Sequence, residues 1–427
     1  MGKAHFFTYR LPVRFFVVIA ATLLILGSAG MERDNHRSDV LTFKGDRIVS
    51  PDSLPSDSYL VVLNRKAAVP NAPPSTYSVV LRGIDPVERA LFHDSRGSNW
   101  ERFDLFRASM IAEGIRDIER IRAYEARLDA LVARVMATHG NASPQTLTRV
   151  LFEAMHRELL TQPYRLDATE LGTVMATGHF NCVSATILFN CLAEKAGLDA
   201  IGLEIPGHAL SRVRFTDGTF TNIETTAPTW FAMQSEQERQ RAMLERIAPT
   251  PAVAHPPTAQ NIAILEPAAD VTANHREVNA VQLVAMIYYN RGVDFIAKGM
   301  YAEAAAANVK ALYLDRDSGK AWKNLLVSIN NWAIDITDRA RTPRLYNLAM
   351  FLLDEGVALD PTFEEFRANY VFVLHDWMRD LALLGRFDDA RAVFAIANDP
   401  KRIPNNVRML EMLEGVNQSE QRIRQQR

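Results

Sequence analysis

Along the chain the spacing of apolar residues changes period, and each change marks a different kind of element. From Trp100 to about Thr138, in WERFDLFRASMIAEGIRDIERIRAYEARLDALVARVMAT, apolar residues recur at helical spacing with Glu and Arg on the other face. That pattern predicts one long amphipathic helix or a pair. Ser143-Pro144 then opens PQTLTRVLFEAMHREL, with serine as cap and proline at the first helical position. In FNCVSATILFNCLAEKAGL a third helix is predicted, since Ala185, Leu188, Cys191, Leu192 and Ala196 recur at three and four residue spacing and Gly197 supplies a stop. Beyond it come short runs of β character, DAIGLEI, ALSRVRF and TFTNIETT. The last two flank Asp217-Gly218 as the arms of a hairpin do. Residues 100–245 are therefore expected to form an α+β unit.

Prolines punctuate the rest. Between Arg47 and Leu81 they stand at 51, 55, 70, 73 and 74 among short apolar runs such as YLVVL, so residues 31–99 read as an extended, loop-rich lead-in. RIAPTPAVAHPP, from Arg246 to Pro257, holds four more and few large apolar residues, which places a linker over 246–278. Residues 279–427 are helical, and a repeat appears there. AKGMYAEAAA parallels LLGRFDDARA, making Gly299 and Gly385 equivalent at 86 residues apart, and YLDRD near Leu314 parallels ALDPT near Leu359. The phrase Gly, any residue, aromatic, two residues, Ala resembles the helix-to-helix turn of tetratricopeptide repeats, with Leu-Asp-Pro closing the second helix. Gly292 and Ala304 also stand 12 apart, as that family's Gly and Ala do where its helices cross. Two repeats of the usual 34 residues would span 68, so the middle repeat is expected to carry longer helices or an insertion. About three hairpins are expected, the last irregular. The resemblance implies a protein partner held on the repeats.

At the N-terminus, Lys3, Arg10 and Arg14 precede the 12-residue apolar run Phe15 to Leu26, and small residues follow it. This is the order of a secretory signal, and the run is shorter than the roughly 20 residues that span a bilayer. Residues 1–30 are expected to be a signal peptide or N-terminal anchor, with 15–30 as the membrane tether. The protein is then exported, periplasmic or held at the inner membrane. Composition adds exclusions: 48% hydrophobic and 23% charged residues fit a globular chain rather than disorder or a multi-span membrane protein. A net charge of -2 gives no electrostatic reason to expect nucleic acid as a partner.

Export changes the meaning of the two cysteines, Cys182 and Cys191, because oxidising compartments usually pair available thiols. Both lie in one predicted helix, where nine residues separate them by roughly 13 Å, beyond disulfide reach. Cys191 lies on the apolar stripe and reads as a small buried hydrophobe. Cys182 starts the helix, where unpaired N–H groups and the positive end of the dipole favour a thiolate. A nucleophilic thiol needs a base, and His208 in IPGHALSRV sits downstream at a Pro206-Gly207 bend. Glu224 and Asn222 on the next strand are candidates to fix its tautomer.

Register decides whether these residues meet. A two-residue Asp217-Gly218 loop sets Glu224 opposite Ser211, on the face away from His208. A three-residue loop, Thr216 to Gly218, with Gly218 left-handed in a bulge, sets Glu224 opposite Leu210. His208, Leu210, Asn222 and Glu224 then share one face, with His208 and Glu224 diagonal neighbours. A triad therefore requires the three-residue loop.

GHFNCVSATILFNCLAEKAGL, IPGHALSRV and TNIETT, in this order between about Leu151 and Trp230, resemble the transglutaminase-like cysteine protease superfamily. The resemblance implies a papain-like α+β core with cysteine on a helix and histidine and acid on adjacent strands. It implies Cys182 as nucleophile, His208 as base and Glu224 as orienting acid; enzymatic transglutaminases usually carry Asp at the last position. Asn222 remains the alternative orienter. The expected reaction is acyl transfer from an amide of a protein or peptide substrate to Cys182, then to water or an amine. The Cys182 N–H would hold the oxyanion with a second donor from Asn181, His179 or Tyr164. His179, Cys182 and His208 lack the second ligand pair of a zinc site, and no phosphate or dinucleotide motif is visible, so no metal or cofactor is expected. The competing expectation is a catalytically inactive scaffold in which the same core survives as a binding module.

Overall fold

The computed structural model describes residues 59–65, 75–81, 84–95, 100–233, 238, 275–339, 343–397 and 407–426. The expected signal or anchor over 1–30, and 246–274 of the linker, lie outside the described residues. Strand β1 (Tyr59–Arg65) pairs antiparallel with β2 (Ser75–Leu81), so part of the lead-in is a two-stranded ribbon. In the sequence Pro70, Pro73 and Pro74 all fall between the two strands.

Helices follow. In α1 (Pro86–Asp94) the Asp85 carboxylate accepts from the N–H groups of Val87 and Glu88. The long amphipathic stretch is a pair, α2 (Leu105–Ala112) and α3 (Ile118–His139), broken at Gly114. Ser143 caps α4 (Pro144–Glu158), accepting from the Thr146 N–H at 3.2 Å. Then come α5 (Leu171–Thr177), α6 (Cys182–Lys195), β3 (Asp199–Ile205), β4 (His208–Arg214) and β5 (Phe220–Ile223).

The sheet has a fourth strand. Residues of the expected linker, β6 (Arg276–Val278), pair with the free edge of β3, giving an antiparallel order β5-β4-β3-β6. One face of the sheet lies on α6: Ala209, Val213 and Ile223 are buried with it, and the Ser211 hydroxyl donates to Asn190 at 2.7 Å. On the other face Leu203, Ile205 and Leu210 form a small cluster of their own.

After β6 the described residues form an array of helices, each packed on the next: α7 (Ala280–Ala297), α8 (Tyr301–Leu314), α9 (Gly319–Arg339), α10 (Pro343–Leu359), α11 (Glu364–Leu383), α12 (Phe387–Ala397) and α13 (Val407–Gln426). Gly299 and Gly385 occupy the same place in it, each with positive φ at the turn between two helices. The 86-residue spacing is accounted for by α9, α10 and α11, whose 21, 17 and 20 residues exceed the 14 of α8 and 11 of α12. α7 and α8 approach closely at Gly292: a Cβ there would strike the side chain of Asn308, which donates to the Ala304 carbonyl at 2.8 Å.

The α+β part and the helical array share one apolar core. α7 packs against α2, α6 and the sheet, and the Leu283 side chain lies against the backbone of Gly202 in β3, where any larger residue would collide. Among the described residues no helix is long and apolar enough to cross a membrane.

Candidate functional site

The position of Cys182 is built by the approach to α6. Residues 162–165 run parallel to 178–180: the Gln162 N–H donates to the Gly178 carbonyl at 3.1 Å and the Arg165 N–H to the Phe180 carbonyl at 2.8 Å. This brings Tyr164 beside the start of α6. Cys182 is the first residue of that helix, and Asn181 caps it, its amide oxygen accepting from Val183 and Ser184 N–H at 2.9 and 3.1 Å. The Ser184 hydroxyl accepts from the Asn181 N–H at 2.9 Å, completing a capping box. Both Asn181 amide hydrogens are also committed, to the Leu166 carbonyl at 3.0 Å and the Thr169 hydroxyl at 2.7 Å. An amide has only two, so the structure gives Asn181 a cap's role and leaves nothing for an oxyanion.

His208 comes from the β3–β4 hairpin. Ile205 pairs with His208 across Pro206 and Gly207, and Gly207 at φ 73 supplies the left-handed second turn residue that a Cβ would strain. In the next hairpin the three-residue loop is present. The Phe215 N–H donates to the Thr219 carbonyl at 2.8 Å, Gly218 has φ 83, and Ser211 pairs with Ile223, which puts Leu210 opposite Glu224 one step past the ladder. His208 Nε2 and Glu224 Oε2 are 2.6 Å apart, both side chains being buried. Glu224 is held in turn: its Oε1 accepts from the Thr226 N–H at 3.0 Å and hydroxyl at 2.7 Å. Thr225 ties this corner to the helices, its hydroxyl meeting Thr186 at 3.0 Å and its carbonyl His156 Nε2 at 3.0 Å. Asn222 is not brought to His208. It stands directly opposite Arg212 in the ladder, and its amide oxygen accepts from the Arg212 Nε at 2.8 Å.

Cys182 and His208 lie within hydrogen-bonding reach, and with Nε2 committed to Glu224, Nδ1 is the nitrogen left for the sulfur. Burial pushes the Cys182 thiol up, but the hydrogen bond and charge of His208 and the Ala209 N–H outweigh it and hold the thiol below its ordinary value. Burial likewise works against a charged His208, yet the Glu224 carboxylate and the Cys182 sulfur raise it to about 10. Burial also pushes Glu224 up, and His208 and Thr226 bring it below the ordinary carboxylate value. All three shifts run in the direction that favours the charged forms, thiolate, imidazolium and carboxylate. Cys191 contrasts with this: burial drives its thiol well above the ordinary value.

Tyr164 lies against both the sulfur and the N–H of Cys182, and burial together with the Cys182 charge raises its phenol, so it keeps its proton. His179 is turned elsewhere, its Nδ1 meeting the Pro163 carbonyl at 2.9 Å. Among the described residues no three His, Cys, Asp or Glu side chains are grouped to hold a metal ion. Thr226 and Thr169 were missed by sequence reasoning, although the acid-Thr-Thr phrase carries a signal for the first. Compared with known proteins, the chain matches no protein-family model, and no curated protein matches it.

Proposed function

We propose that the protein is a cysteine hydrolase or acyltransferase of transglutaminase-like, papain-like type, acting on an amide of a protein or peptide. The observation that carries this reading is the buried His208–Glu224 pair at 2.6 Å, joined to a cysteine at a helix N-terminus whose thiol is held below its ordinary value. A structural cysteine needs no such base, and Cys191, in the same helix, has none.

In the proposed reaction the Cys182 thiolate attacks the amide carbonyl carbon and a C–S bond forms. The oxyanion is held by the Cys182 N–H and the Tyr164 hydroxyl, which lie against one another in the free protein and turn to the substrate oxygen. His208 gives its proton to the departing amine as the C–N bond breaks. Water, or a second amine, then surrenders a proton to His208 and attacks the thioester, which restores the thiolate. Glu224 keeps the imidazole oriented and stabilises its charged form. Export, by way of residues 1–30, and a protein partner on tetratricopeptide-like helices belong to the same proposal.

The test is turnover of unfolded protein substrates by the full chain. Release of peptides or ammonia, or incorporation of a labelled amine, is expected and is lost in Cys182→Ala. No turnover by the wild-type chain, or labelling of Cys182 no faster than a free thiol, would favour the inactive scaffold, and turnover unchanged in Cys182→Ala would remove Cys182 as the nucleophile.

A further inference from the structure

The helical array reaches the nucleophile through one hydrogen-bonded chain. The Thr169 hydroxyl is buried and receives two amides, Asn181 Nδ2 at 2.7 Å and, from α7, Asn290 Nδ2 at 3.2 Å. Asn181 in turn caps the turn that carries Cys182, and Ser184 of the same turn donates to the Ala168 carbonyl at 2.7 Å, beside Thr169. The next residue of α7, Arg291, donates to the Ala112 carbonyl at 2.6 Å at the end of α2. There the Glu113 carboxylate accepts from the N–H groups of Leu171 and Gly172, just beyond Thr169. Consecutive residues of one array helix thus brace the segment against which the nucleophile's cap is set.

We propose that Asn290 and Thr169 are positioning residues for Cys182: the array, through them, fixes the first turn of α6 so that the sulfur stays in register with His208. Rotation of the Asn181 amide would move its oxygen off the Val183 and Ser184 N–H groups and loosen the turn that begins at Cys182. The small angular change that follows is enough to lengthen a thiol–imidazole hydrogen bond, whose strength falls steeply with misalignment. This inference rests on the proposed function, since it assigns a role in the Cys182–His208 pair.

The experiment is the rate of Cys182 alkylation by iodoacetamide as a function of pH in the full chain. Asn290→Ala and Thr169→Val, which removes the hydroxyl at nearly constant shape, are expected to slow labelling on the acid side about three- to tenfold, the rate equivalent of one ordinary hydrogen bond. Their pH midpoints are expected to move up toward that of a free thiol, and Thr169→Ser, which returns the hydroxyl, to restore the wild-type profile. A merely structural role would lower the melting temperature without moving the midpoint. A wild-type midpoint below the free-thiol value with unchanged midpoints in both variants overturns this inference alone. A wild-type profile that already tracks a free thiol overturns the catalytic reading and this inference with it. Should Thr169→Val fail to fold, Asn290→Ala, at a half-buried position, decides.

Discussion

His208 stands between two groups that want opposite things from burial. An isolated imidazole at its 6% exposure would be neutral, and an isolated carboxylate at Glu224 would take up a proton. Placed 2.6 Å apart they charge one another, and the thiol joins them. His208→Ala is therefore expected to cut amide turnover about 10²- to 10⁴-fold, the usual worth of a positioned acid and base, measured as initial rate at constant substrate. The pH dependence follows from the shifts. Activity is expected to rise as Cys182 ionises, on the acid side of an ordinary thiol, and to fall as His208 loses its proton toward about 10, which a rate-against-pH profile measures. Glu224→Gln removes the charge that raises His208, so the alkaline limb of the same profile moves to lower pH. Much of this was legible from residue types in order: a cysteine at a helix start, a histidine after Pro-Gly, an acid one strand later. That Asn222 is drawn away from His208 was not legible, because its partner, Arg212, is set directly across the ladder only by the strand register.

At the scale of elements, two turns and one helix end do the placing. The loop from Thr216 to Gly218 sets strand parity, and parity puts Glu224 on the side of His208; one residue fewer would turn the carboxylate away. That register could be reasoned from the sequence because the side-chain period of a strand is two and only one loop length satisfied a triad. The Asn181 cap could have been read as well, from Asn followed three residues later by Ser. Asn181→Ala is expected to cost about 1–2 kcal/mol by urea unfolding, and to slow Cys182 labelling beyond what that loss explains. Gly207→Ala forces a side chain into a left-handed turn and is expected to cost on the order of 1 kcal/mol or more in the same assay, with the His208 hairpin opening first in hydrogen exchange.

Over the whole molecule, proline punctuation suggested two bodies joined by a linker, and the structure instead closes the sheet with β6 and covers α2 and α6 with α7. The sequence carried little sign of this, since Arg276–Val278 is only three residues long and α7 is apolar on most sides whether it packs on its own array or on a neighbour. Shared burial predicts shared stability. A chain ended after residue 233 would expose the β3 edge and the apolar ground under Leu283, Val284 and Ile287, and is expected to lose its near-ultraviolet circular dichroism. Independent folding of that piece would contradict the single core. The central claim, however, is that Cys182 and His208 form an ion pair at neutral pH, and it is tested most directly by titrating thiolate ultraviolet absorbance in the full chain, with Cys182→Ser as the blank. The pair predicts thiolate absorbance already present well below about pH 8.5, and its shift to about that value in His208→Ala; thiolate appearing only near pH 8.5 in both proteins would contradict it.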